Sequence, residues 1–261
     1  MLANLARAVS FLTRLPVRAR WDTPDALARS AGAFPVVGAL VGGAVATAAW
    51  GAALVLPLPA AAFAALAFAY ALTGALHADG LADTADGLAC LPDREKALAA
   101  MAEPQVGSHG ALALALVVIG KHAAFIGTID ARAWGLFVAA GAASRWALVL
   151  VPALARYATD ARRHAGMSAA YFAGVGMRSQ ATGVVLAAAA CWLALGVGGL
   201  VAMLGAGVAT VVVARRLARG LGGATGDGLG AAAELAELAA LLVGLAALPR
   251  LPAALVGSMV R

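Results

Sequence analysis

The chain has 261 residues, 63% of them hydrophobic, against 12% charged, and its mean hydropathy is +0.89. Soluble domains are nearer half apolar, so a soluble enzyme is excluded and one multi-span membrane domain over residues 1–261 is expected. The net charge of +6 is spread over the ends of apolar segments as membrane topology requires, which argues against nucleic-acid binding. The two cysteines, Cys90 and Cys191, are far apart and form no disulfide or metal pattern.

Residues 1–31 carry Arg7, Arg14, Arg18, Arg20 and Arg29, with no compact apolar core and no small-residue cleavage site. A secretory signal is not expected there. Residues 2–15 predict a short amphipathic helix on the membrane surface. A spanning helix needs about 20 apolar residues, and spans are expected near 33–56, 60–76, 110–129, 133–154, 183–198, 199–214 and 230–249. The run 183–214 is long for one tilted helix and short for two full spans. It is read as a tight helical hairpin turning at Gly196–Gly199, where glycine accepts turn backbone angles. The fold class is thus an all-α polytopic bundle of about six or seven transmembrane helices. Its Gly- and Ala-rich faces suit close packing.

Charge counting orients the bundle. With the N-terminus cytoplasmic, fourteen of the nineteen Lys and Arg fall in residues 1–32, 77–109, 155–182 and 215–229. Three (Arg132, Arg250, Arg261) fall on the opposite side, and Lys121 and Arg145 lie inside spans. The bias predicts a cytoplasmic N-terminus. It also puts the acidic segment 77–109 and the Gly-rich segment 215–229 on one side.

Six of the thirteen acids lie between Asp79 and Glu103. On a helix, Asp79, Asp83 and Asp86 share one stripe, with His77 at its head. Three like charges on one stripe call for a hard divalent cation, and Mg2+ takes such oxygens while sharing its remaining positions with water and substrate phosphates. A solvated helix face is the plainer reading, but acids are scarce elsewhere. A second set follows the turn Gly222–Gly230: Thr225, Gly226 and Asp227, then Glu234 and Glu237 in the first turns of an apolar span. The helix N-terminus there suits phosphate, and ionisable residues inside a span are functional candidates. Lys121 and Arg145 need partners inside the bilayer, either the acids or a substrate phosphate. Gly107, in Glu103–Gly110, is a weaker candidate for a phosphate-lining bend.

Together these residues resemble the cobalamin synthase family, the adenosylcobinamide-GDP ribazoletransferases. The resemblance is carried by Phe11–Pro16, Phe34–Gly38, Leu76–Gly87, Asp93–Lys96, Ser144–Trp146 and Gly223–Asp227 through Glu237. The chain departs from the family at Gln105, where the family has arginine. The resemblance implies transfer of the adenosylcobinamide phosphate from adenosylcobinamide-GDP to the 3′-hydroxyl of α-ribazole or its 5′-phosphate, with release of GMP. It implies Mg2+ on Asp79, Asp83, Asp86, Asp227, Glu234 and Glu237, and phosphate contacts from Lys121, Arg145, Gly107 and Thr225–Asp227. One of the carboxylates, or His77, would take the hydroxyl proton. It further implies a bacterial inner-membrane location, an active site facing the cytoplasm, and other late cobalamin-pathway enzymes as partners. Two rival classes fit less well. A CDP-alcohol phosphotransferase motif breaks at Asp83, where it requires arginine, and a polyprenyl transferase would show paired aspartate motifs on two helices. A cation-coupled transporter would show internal repeats and mid-span acids.

Overall fold

The computed structural model describes residues 2–158 and 166–248. Arg162, Arg163, Arg250 and Arg261 of the charge count, and the last residue of the expected 230–249 span, lie outside the described residues. Among the described residues all regular structure is helical, apart from one parallel bridge between Tyr157 and Ala224. The helices are α1 (Leu2–Leu12), α2 (Ala26–Ser30), α3 (Phe34–Ala53), α4 (Leu58–Thr73), α5 (Leu76–Ala89) and α6 (Arg94–Ala100). They continue as α7 (Ser108–Asp130), α8 (Trp134–Leu154), α9 (Met167–Gly174), α10 (Met177–Leu221) and α11 (Gly226–Ala247).

Five stretches are long and apolar enough to cross a membrane, or six if α4 and α5 form one broken span. The polytopic helical fold expected from the sequence is therefore present. Large apolar side chains such as Phe63, Leu116, Ile119, Leu193, Leu204 and Val208 point outward, as a lipid-facing belt must. The amphipathic α1 ends at Leu12, short of the expected Leu15. It buries Arg7, whose guanidinium pairs with Asp22 at 2.9 Å and donates to the Arg20 carbonyl at 2.7 Å.

The hairpin expected at 183–214 is the sharpest feature of the long α10. Its helical path breaks at Leu195 (φ −149°) and Gly196 (φ +57°), the second a left-handed angle that favours glycine. Gly183 packs on Val149 and Gly207 on Trp146, so both arms meet the same end of α8. In an unbroken helix these two glycines would stand about 36 Å apart. A Cβ on Gly199 would overlap the Cys191 carbonyl, which shows how closely the arms approach.

Helix contacts follow the small-residue logic of membrane packing. Gly38 and Gly42 of α3 lie against the backbone of Gly141 and Phe137 of α8, and Gly135 lies against Ala194 of α10. A proline inside α8, Pro152, has no N–H for the carbonyl four residues back. That carbonyl, on Leu148, accepts instead from the Tyr171 hydroxyl at 3.1 Å, and the next one, on Val149, accepts from Gln180. Neighbouring helices thus satisfy the groups that proline frees, as a nonaqueous interior demands.

The helix directions gather one working face. α8 runs antiparallel to both α3 and α11, while α7 runs parallel to α11, as Gly38–Gly141, Leu136–Gly244 and Gly120–Leu238 contacts show. The N-terminal ends of α3, α7 and α11, the C-terminal end of α8 and both ends of α10 therefore share one side. At sixteen residues α4 spans about 24 Å, short of the bilayer core, and the chain then bends by 89° into α5. Gly74 (φ +67°) and Ala75 (φ +54°) make that bend, and a Cβ on Gly74 would overlap the Arg14 side chain. Helix α5 consequently lies across the starts of α7 and α11 instead of continuing the span.

Replacing Gly141 by alanine forces a methyl into the Gly38 backbone and is expected to destabilise the bundle by about 1–3 kcal/mol. A methyl on Gly43 would meet nothing within 4 Å, so alanine there should be tolerated or gain about 0.5–1 kcal/mol from lost backbone freedom. Thermal unfolding of both variants in detergent measures the contrast, and equal midpoints would refute the packing account.

Candidate active site

The acids predicted from sequence fall into two groups. Asp79, Asp83 and Asp86 do share a face of α5, and Asp227 joins them from the first turn of α11. Asp83 lies within electrostatic reach of Asp79, Asp227 and Asp86, and Asp79 within reach of Asp227. The two helices cross closely because both carry glycine at the crossing. A Cβ on Gly80 would lie 2.6 Å from the Asp227 carbonyl oxygen, and one on Gly230 would lie 3.0 Å from the His77 carbonyl oxygen. Burial and these neighbouring carboxylates, in that order, push the Asp83 carboxyl up to about 6. The face holds more negative charge than it can neutralise, and its donors are hard oxygens. Both facts fit a divalent cation.

Asp86 does something different from its neighbours. Its two carboxylate oxygens accept from the Gly107 and Gly110 N–H groups, each at 2.8 Å. It thereby closes the N-terminus of α7, where unpaired N–H groups and the helix dipole favour an anion. A Cβ on Gly107 would come within 2.5 Å of that carboxylate. The phosphate-lining bend expected at Gly107 is thus already filled by a side chain of the protein. Gln105, two residues earlier, is exposed.

The second group is buried among the spans. Lys121 of α7 is 2% exposed. Its Nζ lies 2.7 Å from Glu234 Oε2 and 3.2 Å from Glu237 Oε2. Arg145 of α8 reaches Glu237 at 3.2 Å and the Ser144 hydroxyl at 3.3 Å, and that hydroxyl donates to the Ala233 carbonyl. Tyr70 of α4 donates to Glu234 at 3.2 Å, and Lys121 sits over its ring. The two cations and two glutamates therefore partner one another. The expectation that Lys121 and Arg145 hold phosphate while Glu234 and Glu237 hold metal meets side chains already committed to one another, although Arg145 Nε is buried without a hydrogen-bond partner. Sequence reading missed Tyr70, although it is the single tyrosine in its span. His77 stands between the groups. It is 5% exposed, within electrostatic reach of Glu237, Arg145 and Lys121, and its Nε2 has no hydrogen-bond partner.

Thr225 and the glycine turn position Asp227. The Thr225 hydroxyl accepts from the Gly228 N–H at 3.1 Å as the cap of α11. The preceding Ala224 is pinned by backbone bonds with Arg156 and Ala158, both at 2.9 Å. Arg94 and Arg156 donate to the Leu221 and Gly222 carbonyls at the end of α10, where cations are favoured. Two cavities open beside this turn, of about 200 Å3 and about 170 Å3. They share Ser168, Gly226 and Asp227. Ser168, on α9, carried no signal in the sequence. Among the described residues no group of three or more His, Cys, Asp or Glu side chains is placed so that it could hold a metal ion by itself. Asp227 lining both cavities, with Asp79 on the larger, is an open arrangement that suits a cation shared with a phosphorylated substrate.

The chain matches the family model described as cobalamin-5-phosphate synthase over residues 4–245. Three relatives carry the name adenosylcobinamide-GDP ribazoletransferase. The protein of Novosphingobium aromaticivorans is 38% identical over 245 residues, covering 90% of this chain and 93% of its own. That of Leptothrix cholodnii is 40% identical over 248 residues, covering 92% and 93%. That of Halorubrum lacusprofundi is 37% identical over 263 residues, covering 96% and 99%. No solved structure matches the chain. The match over nearly the full length, through both the α5 acids and the α11 turn, makes this chain a member of the cobalamin-5-phosphate synthase family.

Proposed function

We propose that the chain transfers the adenosylcobinamide phosphate of adenosylcobinamide-GDP to the 3′-hydroxyl of α-ribazole or α-ribazole 5′-phosphate. An O–P bond forms at the cobinamide-linked phosphorus and the bond to GMP breaks. The product is adenosylcobalamin or its 5′-phosphate. The observation that carries this reading is the grouping of Asp79, Asp83 and Asp227 within electrostatic reach of one another, with Asp227 lining both cavities and Asp79 the larger of them. A reaction between two phosphorylated or hydroxylated partners needs two adjoining compartments with a charge-neutralising centre at their junction.

Mg2+ is the ion these hard oxygens suit, with Asp79 and Asp227 as the residues that would hold it together with water and substrate phosphate, and Asp83 beside them. Such an ion, when bound, neutralises pyrophosphate charge and the charge that develops on the leaving group. The protein's own part is positioning. The Thr225 cap and the Ala224 backbone bonds fix Asp227. The Gly80–Gly230 crossing fixes Asp79 and His77 against α11. The acceptor's proton passes to a carboxylate of this face or to His77. Glu234, Glu237, Lys121 and Arg145 act from beneath, as a brace that holds α7, α8 and α11 in register. The excess of arginines on the working face supports a cytoplasmic orientation in the bacterial inner membrane.

Purified protein in lipid vesicles, given Mg2+, adenosylcobinamide-GDP and α-ribazole 5′-phosphate, is expected to release GMP and yield a corrinoid carrying the lower base. No GMP across a series of divalent ions would reject the reading. Asp83→Asn should lower turnover by about two orders of magnitude or more, the scale of lost charge stabilisation, with an unchanged melting profile.

The brace makes a separate claim. Lys121→Met leaves a buried glutamate uncompensated and should cost about 3–5 kcal/mol of stability. Adding Glu234→Gln to that variant should restore much of the loss, because the pair is then removed together. A double-mutant cycle of unfolding measures this, and strictly additive losses would show that the two side chains do not interact.

A further inference from the structure

We propose that the cavity of about 200 Å3 seats the planar aromatic base of the acceptor nucleoside, with its sugar hydroxyls turned toward Asp79 and Asp227. This assignment rests on the reaction proposed above and says which substrate enters which compartment.

Two kinds of residue line the cavity. One is apolar and comprises Phe11, Leu27, Phe34, Leu148 and Tyr171. The other comprises Asp79 and Asp227 with the two crossing glycines, Gly80 and Gly230. The aromatic part of the lining is ordered. The Phe34 ring stacks between Phe11 (6.0 Å, 18° between planes) and Tyr171 (6.0 Å, 4°). The Tyr171 ring is held in place by its hydroxyl bond to Leu148, the carbonyl freed by Pro152. A preorganised apolar lining favours a rigid apolar group, because less ordering is lost on binding.

Size and polarity choose among the groups available. Sites for drug-sized ligands run to about 300–1,000 Å3. This one is smaller, too small for a corrinoid ring and of the scale of a bicyclic base. Guanine is the competitor, but guanine carries several hydrogen-bonding groups that are costly to bury unpaired. The aromatic side chains offer it no partner, since the Tyr171 hydroxyl is committed to Leu148, and in this seating the polar lining groups Asp79, Asp227, Ser168 and His77 face the sugar and not the base. A benzimidazole-type base presents few such groups and suits the wall. The neighbouring cavity of about 170 Å3 contains Tyr157, Ser168 and Thr225 and is the more polar compartment, left to the nucleotide diphosphate. His77 lines the first cavity, and its Nε2 is buried without a partner, so a polar atom of the seated nucleoside would satisfy it.

Two variants of the full chain in lipid vesicles test the assignment. Phe11→Ala removes part of the wall, and Met167→Trp narrows the cavity from its rim, where Met167 is 56% exposed. Each should raise KM for α-ribazole 5′-phosphate by about tenfold, the scale of one aromatic–base contact, and leave KM for adenosylcobinamide-GDP unchanged. Equilibrium dialysis of α-ribazole against the same proteins should show the matching loss of binding, whether or not turnover is measured. A rise confined to the KM of adenosylcobinamide-GDP would overturn the assignment while leaving the reaction intact. So would unchanged α-ribazole binding in a folded variant. Should wild-type protein bind α-ribazole through Phe11 yet release no GMP, the seat stands and the reaction falls. If Phe11→Ala does not fold, Met167→Trp alone decides.

Discussion

Four charges from three helices meet inside a bundle that otherwise excludes them. Lys121 on α7, Arg145 on α8 and Glu234 and Glu237 on α11 neutralise one another over contacts of 2.7–3.2 Å. None of them is tolerable alone in an apolar interior. The set is therefore satisfied only when α7, α8 and α11 stand at one mutual height. Close packing at Gly38, Gly42, Gly135 and Gly141 sets the height of α3 and α10 against α8. The ion pairs supply the register of α7 and α11, and Tyr70 extends it to α4. The height at which α11 begins, and so the position of Asp227, follows from that.

On this fixed platform α5 is laid crosswise. Its first residues touch α11 through Gly80 and Gly230, and its last acid, Asp86, ties it to the start of α7. The helix is thus held at both ends, and the middle acid, Asp83, is left to face open space and its neighbours' charge. Three aspartates of similar spacing serve unlike purposes because different helix starts lie beneath them. The proline in α8 contributes at a distance. By withholding one N–H it gives the Tyr171 hydroxyl a carbonyl to hold, which sets the ring plane of the cavity wall.

Much of this was legible in the sequence. The spans, the turn at Gly196 and the helical stripe of Asp79, Asp83 and Asp86 follow from local rules of hydropathy, glycine geometry and helix periodicity, whereas the segment 215–229 expected as a loop is mostly helix, with α10 running to Leu221 and α11 starting at Gly226. What was not legible is pairing. A lysine in the middle of a span announces that it needs a partner, but Lys121 and Glu234 are 113 residues apart, and nothing local distinguishes that glutamate from a metal ligand. Asp86 is hidden in the same way. Its role depends on Gly107 and Gly110 being brought beneath it by the intervening chain. The bend between α4 and α5 was also invisible, because the apolar run and the acidic stripe each read correctly without revealing the angle between them.

The break at Leu195–Gly196 has a consequence for biogenesis. Between α5 and α11 the chain crosses by α7, α8 and the two arms of α10, an even number of passages. Even parity is what returns Asp227 to the side on which Asp83 waits. Were the arms fused into one straight helix, α11 would enter from the far side, and the two halves of the acidic face would be separated by the whole thickness of the bilayer. Residues 183–214 contain no charged side chain, so the loop that sets this parity can be threaded across the membrane without carrying a charge with it.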